Sequence, residues 1–304
     1  MSLLTITDGL AFPEGPVVLA NGDIAVVEVM GGRLTRIQPD GAKFIIADTG
    51  GGPNGAAIGP DGRCYICNNG GMGPSASKDF LLPTEAPHDT PPGAIQAVDM
   101  TTGAVETLYA HTPETPFWGP NDLVFDRHGG FWFTDYGRDR GRARMRSSVY
   151  YAHATGGAIT EAVFPLDGAN GIGLSPDGET LYVAETYSAH LWSFRLKAPG
   201  IIDRTGGDFP HGGRVIGRGG AGRYLDSLAV DAEGNICCAS PGVGEILIFP
   251  PQGGTPRAIH TGDFLTTNIA FGGPGRATAY ITLGSSGRLA SLPWHCPGLA
   301  LAYG

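Results

Sequence analysis

The chain has 304 residues, 41% of them hydrophobic, and a formal net charge of −9 at pH 7. This length allows one large domain or two ordinary ones, with enough apolar residues for a buried core. An acidic chain without clustered Lys and Arg is unsuited to binding a nucleic-acid backbone, and no apolar run is long enough to cross a membrane. Residues 1–8 have neither a basic stretch nor a continuous apolar one. The sequence therefore predicts no signal peptide and a cytoplasmic location.

Six segments share one pattern, in which a single carboxylate or carboxamide residue precedes an apolar strand. These polar residues are Glu14, Asn54, Asn121, Asn170, Asp226 and Asn268. A glycine follows eight residues after each of the first five, and Gly275 follows seven residues after the sixth. Dipeptides such as Asn21-Gly22 and Asp177-Gly178 favour tight hairpin turns at these points. Each repeat is therefore predicted to open with a β-hairpin.

A second pair of strands follows in most repeats, at residues 32–37, 94–98, 149–152, 190–194 and 245–249. Six repeats in 304 residues average about 51 residues, close to the period of about 40–50 typical of propeller blades. No segment shows sustained helical periodicity. We predict an all-β fold, a six-bladed β-propeller with four-stranded blades around a central channel, as a single domain over residues 1–304. A β-sandwich, the alternative, does not require six equivalent polar positions.

The second repeat carries an insertion at residues 70–92, which contains Phe80-Leu81-Leu82-Pro83 among turn-forming residues. Long loops in compact domains are often functional. The insertion is either a lid over one mouth of the channel or a plain surface connection, and the sequence leaves both open.

The five cysteines, without a secretion signal, indicate reduced thiols. Cys64 and Cys67 lie three residues apart in a strand-like run, so their side chains should point to opposite faces. Such a pair cannot bind one zinc ion, and the adjacent Cys237 and Cys238 are excluded for the same reason. We expect all four to be small buried residues.

The six polar positions predict a binding site. In a propeller the innermost strands run along the axis in the same direction, so residues at equivalent positions converge on one ring. Buried carboxylates and amides without partners are costly, and a hard cation would satisfy all of them. Oxygen ligands with two negative charges favour Ca²⁺, although Zn²⁺, Mg²⁺ or Mn²⁺ could replace it. The alternative is a hydrated plug in which Asn serves turn geometry; it explains one position better than six aligned ones.

Several motifs in order resemble the gluconolactonase/regucalcin (senescence marker protein) family of six-bladed propellers over essentially the whole chain. They are Phe12-Pro13-Glu14-Gly15-Pro16, Gly119-Pro120-Asn121-Asp122, Asn170-Gly171-Ile172-Gly173-Leu174, Leu225-Asp226-Ser227-Leu228 and Thr267-Asn268-Ile269-Ala270. The resemblance implies that the metal ligands are Glu14, Asn121, Asn170 and Asp226. It also implies that Asp226 is the general base. Diisopropyl fluorophosphatase, a more distant propeller, is similar in using a Glu, two Asn and an Asp around calcium.

The reaction implied is metal-dependent hydrolysis of a lactone. The cation would polarise the lactone carbonyl while Asp226 accepts the proton of the attacking water. The expected partner is thus a small-molecule lactone, with no nucleic acid and no membrane. Residues expected to contact this substrate are Asn54, Asn121, Trp118, Tyr187 and Asn268.

One position departs from the family pattern. Sugar-lactone members usually carry a substrate-binding Arg two residues before the Asn that corresponds to Asn121. Here that position is Gly119, preceded by Phe117-Trp118. The exchange favours a less polar lactone or ester than a sugar lactone; the alternative is that Trp118 is a residue of the propeller core. Two alternatives stay open, namely phosphotriester (organophosphate) hydrolysis on the same metal, and a non-catalytic propeller that binds a ligand or a protein.

Overall fold

A computed structural model describes residues 3–304. The chain forms six antiparallel sheets, which are the blades of a propeller, and the innermost strand comes first in each blade. This arrangement confirms the predicted all-β, six-bladed propeller. We call the channel end at which the innermost strands begin the upper mouth, and the end at which they stop the lower mouth.

The strands of each blade are given from the channel outward. They are Pro13–Val18, Ile24–Glu28, Arg33–Ile37 and Lys43–Asp48 in blade 1; Pro53–Ile58, Cys64–Asn68, Ala94–Val98 and Val105–Tyr109 in blade 2; Pro120–Phe125, Gly130–Asp135, Ser147–His153 and Thr160–Leu166 in blade 3; Ala169–Leu174, Thr180–Glu185, His190–Ala198 and Gly213–Arg218 in blade 4; Leu228–Val230, Ile236–Ser240, Glu245–Phe249 and Arg257–His260 in blade 5; and Thr266–Gly272, Thr278–Leu283, Arg288–Pro293 and Leu4–Thr7 in blade 6.

Several short elements lie outside the four main strands of the blades. Ile201–Ile202 pairs with the third strand of blade 4, and two-stranded ribbons join Gly73–Ser75 to Pro83–Thr84 and Asp139–Arg140 to Ala143–Arg144. The helical segments of residues 3–304 are two single 3₁₀ turns, Arg204–Gly206 and Pro274–Arg276. No helix in this part of the chain is long and apolar enough to cross a lipid bilayer.

Blade 6 closes the ring with both ends of the chain. Its first three strands come from the end of the sequence, whereas its outermost strand, Leu4–Thr7, comes from the beginning and pairs with Arg288–Pro293. On the channel side, the Thr267 hydroxyl of blade 6 donates a hydrogen bond to the Pro13 carbonyl of blade 1 at 3.1 Å. The sequence pattern did not predict this closure, because Leu4–Thr7 lies outside the six repeats.

The hydrophobic core is divided into six clusters, each between two neighbouring blades. Cys64 packs in the cluster between blades 1 and 2, whereas Cys67 packs between blades 2 and 3. Cys237 and Cys238 likewise lie in different clusters. Each pair therefore points to opposite faces of its blade, as the strand pattern predicted.

The end of the chain crosses the lower mouth. The Gly298 amide donates to the Arg276 carbonyl of blade 6, the Leu299 amide donates to Val230 of blade 5, and Tyr303 packs edge-on against Phe125 of blade 3. A cavity of about 850 Å³ opens at this mouth, lined by residues 299–304 and by the innermost strands, and it extends along the channel as far as Asp122 and Asn268.

Candidate functional site

A β-bulge marks the polar position in the innermost strands. In blade 1 the pairing shifts by one residue between Glu14 and Val17, and equivalent shifts occur in blades 2, 3, 4 and 6. A bulge bends the strand locally and redirects side chains. The glycine after the polar residue also permits close packing, because a Cβ on Gly15 would lie 2.5 Å from the Asn54 carbonyl oxygen of the next blade.

Glu14 of blade 1 and Asn268 of blade 6 are held together at the upper mouth. The Glu14 carboxylate accepts hydrogen bonds from the Asn268 side chain and from the Gly15 amide, both at 2.8 Å. The Asn268 oxygen is already used, since it accepts from the Ile269 amide at 2.7 Å. Both side chains are buried. Asn268 therefore orients Glu14.

Asn121 and Asn170 have a different environment. The side-chain oxygen of each is buried and has no hydrogen-bond partner among the described residues. The Asn170 amide group donates to the Thr186 hydroxyl at 3.2 Å, which leaves its oxygen free. Unpaired buried oxygens are rare in native proteins and commonly mark a missing ligand or ion.

Carboxyl groups cluster in the same channel. The pKa of Asp226 is raised to about 7, chiefly by loss of hydration; the Asn170 amide opposes this rise, and the charge of Asp122 adds to it. Burial lifts the pKa of Glu14 well above its usual range, and the charge of Asp226 adds to this effect. Burial also raises the pKa of Asp122 to about 7. No Arg or Lys in residues 3–304 hydrogen-bonds to any of these three groups.

These donors fit a hard divalent cation. The channel combines two amide oxygens that lack hydrogen-bond partners with carboxylates that lack basic neighbours. Burying either kind of group unpaired is unfavourable, and a bound cation would compensate both. The donors are oxygens alone, the set that Ca²⁺ prefers. Asn54, the remaining predicted ring residue, is half-buried at the start of blade 2.

The loop before Asn121 is held in place by hydrogen bonds to a buried carboxylate. Asp135 accepts hydrogen bonds from the backbone amides of Trp118, Gly119 and Gly137, at 2.7–2.9 Å. A Cβ on Gly119 would lie only 2.6 Å from the Gly137 carbonyl oxygen. This tight loop leaves no room for the Arg that sugar-lactone members carry at the position, and it presents the half-buried Trp118 instead.

Tyr136 adjoins the site although the repeat pattern did not indicate it. Burial raises the pKa of its phenol well above the usual value, and the nearby Tyr187 and Asp226 raise it further. The Tyr136 and Tyr187 rings lie 5.6 Å apart between centroids. Tyr136 directly follows the second strand of blade 3, whereas Tyr187 lies two residues after the end of the second strand of blade 4. The two tyrosines therefore do not occupy equivalent repeat positions, and the repeat pattern carries no signal for Tyr136.

Tyr187 is held at the rim of the upper mouth. Its hydroxyl donates to Asp139 at 3.1 Å, and the Arg144 guanidinium stacks over its ring, 3.2 Å from the centroid. Arg144 also binds Asp139 at 2.7 Å. The ring packs on Gly168, two residues before Asn170. The rim of blades 3 and 4 thus combines the aromatic rings of Tyr136 and Tyr187 with the charged pair Asp139 and Arg144.

The insertion at residues 70–92 spans the upper face from blade 3 to blade 6. At its base, the Arg138 guanidinium of blade 3 donates to the carbonyls of Asn69, Thr90 and Pro91 at 2.7–3.2 Å. At its tip, the Leu81 amide donates to the Ser285 carbonyl of blade 6 at 2.8 Å. The neighbouring Phe80 packs edge-on against Phe264, which precedes blade 6.

Comparison with known proteins identifies the family. The sequence model of the family described as the SMP-30/Gluconolactonase/LRE-like region matches residues 12–285. The chain belongs to this family. The match includes all six polar positions, from Glu14 to Asn268, and it confirms the resemblance seen in the motifs.

Individual members of the family are distant in sequence. Lactonase drp35 of Staphylococcus haemolyticus is 28% identical over 254 residues, which are 82% of this chain and 70% of that protein. A gluconolactonase from Xanthomonas campestris matches with a TM-score of 0.74 and 23% identity, over 96% of this chain and 89% of that one. A calcium-binding protein, regucalcin, from Agrobacterium tumefaciens matches with a TM-score of 0.75 and 20% identity, over 99% and 95%. At such identities the structural matches establish the propeller fold.

Proposed function

We propose that this protein is a metal-dependent hydrolase that opens a lactone. The observation that carries the proposal is the channel cluster, in which the unpaired oxygens of Asn121 and Asn170 accompany the carboxyl groups of Glu14 and Asp226. A scaffold propeller needs no such charges on its axis. The description of a similar protein as a lactonase and of another as a gluconolactonase supports the same reaction.

Glu14, Asn121, Asn170 and Asp226 would hold the cation, with Ca²⁺ as the preferred ion. When bound, a divalent cation supplies a Lewis acid for the lactone carbonyl. The carboxylates of Glu14 and Asp226 must then be ionised, although their pKa values are raised without the metal. Asn268 keeps Glu14 oriented through its hydrogen bond.

Asp226 is the residue that would move a proton. Its carboxylate accepts a proton from the attacking water as the water oxygen forms a bond to the acyl carbon. Cleavage of the bond between the acyl carbon and the ring oxygen then opens the lactone, and that oxygen takes up a proton as it leaves. Burial raises the pKa of Asp226 to about 7 in the metal-free protein, within the range of side chains that act as general bases near neutral pH.

The walls of the upper mouth favour a substrate of low polarity. Gly119, at the position of the Arg that would bind a sugar lactone, is too closely packed to carry one, and the neighbouring side chain is the half-buried Trp118. Tyr136, kept protonated by its raised pKa, can donate a hydrogen bond beside Asp226. Asn54, Trp118 and Tyr187 are the proposed substrate contacts, while Asn121 serves both metal and substrate.

The insertion at residues 70–92 fits a lid over this mouth. It is fastened to blade 3 by Arg138 and to blade 6 by the backbone bond of Leu81, and it brings Phe80 to the upper face. We expect Phe80→Ala to raise KM for an apolar lactone more than it lowers kcat. An unchanged KM would reduce the insertion to a surface connection.

A substrate panel tests the reaction itself. Aliphatic, aromatic and sugar lactones, with a phosphotriester as the competing substrate class, are assayed with metal-loaded and chelator-treated protein. We expect hydrolysis of the aliphatic or aromatic lactones that disappears with chelator and returns with Ca²⁺. Turnover of the phosphotriester alone would assign the other reaction, and binding without turnover of any substrate would indicate a non-catalytic propeller.

A further inference from the structure

A second cluster of metal-binding side chains lies at the lower end of the propeller. Asp231, His295 and Cys296 each offer one ligand atom, and these atoms all lie within 4.8 Å of one another. We propose that this cluster binds Zn²⁺ or a similar transition metal and fastens the end of the chain to blade 5. The site is separate from the proposed catalytic metal, since Asp231 follows the strand Leu228–Val230 that Asp226 precedes. His295 and Cys296 also lie beyond residue 285, where the family match ends.

A comparison with blade 3 shows what is unusual about Asp231. In the matching turn of blade 3, one oxygen of Asp126 accepts from the His128 and Gly130 amides, and the other accepts from the Tyr151 hydroxyl. Asp231 uses its Oδ1 in the same way, for the amides of Glu233 and Asn235. No hydroxyl takes this place at Asp231, and the Cys296 thiol is hydrogen-bonded to its carboxylate instead.

The Oδ2 atom of Asp231 instead faces the cluster. It accepts from the Asn235 side chain at 2.9 Å and lies 3.9 Å from His295 Nε2, too far for a hydrogen bond. Four ligands at zinc bond lengths lie about 3.5 Å from one another in a tetrahedral site. The three donors, 3.9 Å apart for Asp231 and His295 and within 4.8 Å for every pair, must move slightly closer together to share one ion.

Burial and ligand type favour this assignment. Asp231 is fully buried and Cys296 nearly so, whereas His295 is partly exposed, which leaves a water an open position as the fourth ligand. Thiolate and imidazole ligands select zinc-type ions over Ca²⁺. Binding converts the Cys296 thiol to a thiolate and releases its proton to solvent.

One neighbouring charge opposes binding. The exposed Arg257 guanidinium lies 3.4 Å from His295 Nε2, the nitrogen that would bind the metal. The carboxylate of Glu233, which contacts the Asn235 side chain, adds negative charge on the other side. Arg257 must swing into solvent when the ion binds, so its removal should strengthen binding.

Metal binding at this point would secure the segment that crosses the lower mouth. Cys296 is followed directly by Pro297 and Gly298. The Pro297 carbonyl accepts a hydrogen bond from the Ala232 amide, and the Gly298 amide donates one to the Arg276 carbonyl. The Leu299 amide is hydrogen-bonded to the Val230 carbonyl, and residues 299–304 line the cavity. An ion shared by blade 5 and this segment would hold it in place.

Titration of metal-free protein with Co²⁺ tests the proposal. Cobalt bound to a thiolate gives an ultraviolet charge-transfer band, and the oxygen donors of the channel cannot produce it. We expect one equivalent of Co²⁺ to develop this band and Zn²⁺ to abolish it by displacement. In Cys296→Ser the band should be absent. In His295→Ala we expect the affinity to fall at least about tenfold, and His260→Ala, a change of another exposed histidine, should leave it unaltered.

Two further measurements complete the test. Arg257→Ala should bind Co²⁺ more tightly than the unaltered protein, and Zn²⁺ should slow amide exchange at Gly298 and Leu299 except in Cys296→Ser. His295 is partly exposed, so its replacement leaves the fold intact even if that of Cys296 does not. The absence of a thiolate band in both the unaltered protein and Arg257→Ala, or its persistence in Cys296→Ser, would overturn the proposal.

Discussion

The two mouths of the channel are built from the same six strands but have opposite chemistry. At the upper mouth, bulges at the strand starts direct carboxylates and amides inward, and two amide oxygens remain without partners. At the lower mouth, the ends of the same strands supply mainly apolar residues such as Phe125 and Ile172 around a cavity that residues 299–304 partly cover. The difference shows that one repeat can create a polar site and a packed end, because side chains at different strand positions meet different neighbours.

The comparison predicts that changes at the upper mouth affect catalysis first and changes at the lower mouth affect stability alone. The largest effect is expected at Asp226. With metal saturating, Asp226→Asn should lower kcat at least about a hundredfold, because an amide cannot accept a proton at neutral pH. Steady-state kinetics at saturating metal checks this. Asn170→Asp, which adds charge to the ring, should retain metal, and a near-normal kcat in Asp226→Asn would remove its role as base.

Glu14→Gln should act on metal binding before it acts on chemistry. The change removes one of the two charges proposed to hold the cation, so we expect at least about tenfold weaker Ca²⁺ binding by calorimetry. Excess metal should restore much of kcat. Glu106→Gln serves as the control, since Glu106 is an exposed carboxylate of blade 2. Equal Ca²⁺ affinity in both variants would argue against Glu14 as a ligand.

Gly119→Arg tests whether the loop geometry excludes the arginine of sugar-lactone members or whether the position could accept it. Because its Cβ would lie 2.6 Å from the Gly137 carbonyl, the variant should lose about 1–3 kcal/mol of stability and gain no sugar-lactone activity. Thermal denaturation and the lactone panel measure both. Gly206→Arg, at a position open to solvent, is the matched control. New sugar-lactone turnover in Gly119→Arg would contradict the packing argument.

The carboxyl cluster predicts an unusual pH dependence in metal-free protein. The folded pKa values of Glu14 and Asp226 are raised, so the folded state binds more protons than the unfolded state at intermediate pH. The contribution of Asp226 to stability is full below about pH 4 and is lost as the pH rises through about 7, and the contribution of Glu14 changes in the same direction.

Denaturant unfolding measures this dependence. Between about pH 5 and pH 8, the metal-free protein should lose stability relative to Asp226→Asn, by no more than about 1.4 kcal/mol per pH unit, because the two proteins differ in one titrating group. Saturating Ca²⁺ should suppress the trend, because the carboxylates then have a cation. A pH-independent difference between the two proteins would show that Asp226 titrates normally.

The smallest effect is expected at the lower mouth. Tyr303 contacts Phe125 edge-on, with ring centroids 5.8 Å apart, and is partly exposed. Tyr303→Ala should cost about 1 kcal/mol of stability and leave kcat and KM unchanged. A loss of activity comparable to that in the upper-mouth variants would mean that the two ends of the channel are coupled.

The sequence alone determined the architecture and the place of each polar residue at or near the start of an innermost strand. The pattern is local: a single carboxylate or amide precedes each apolar strand, and a turn glycine follows at a nearly constant interval. Because every blade repeats this pattern, the number of blades and the position of the polar residue in each follow from it. The facing of Cys64 and Cys67 followed in the same way, because alternation along a strand is also local.

Tertiary structure decided what the pattern could not contain. Tyr136 reaches Asp226 because loops of blades 3 and 4 meet at the rim, and Gly119 is confined by Gly137, a contact across a hairpin. Closure by Leu4–Thr7 and the grouping of Asp231 with His295 and Cys296 join residues distant in the chain. Such contacts leave no periodic signal, since they depend on where the blades place the chain ends and loops rather than on the residues between them.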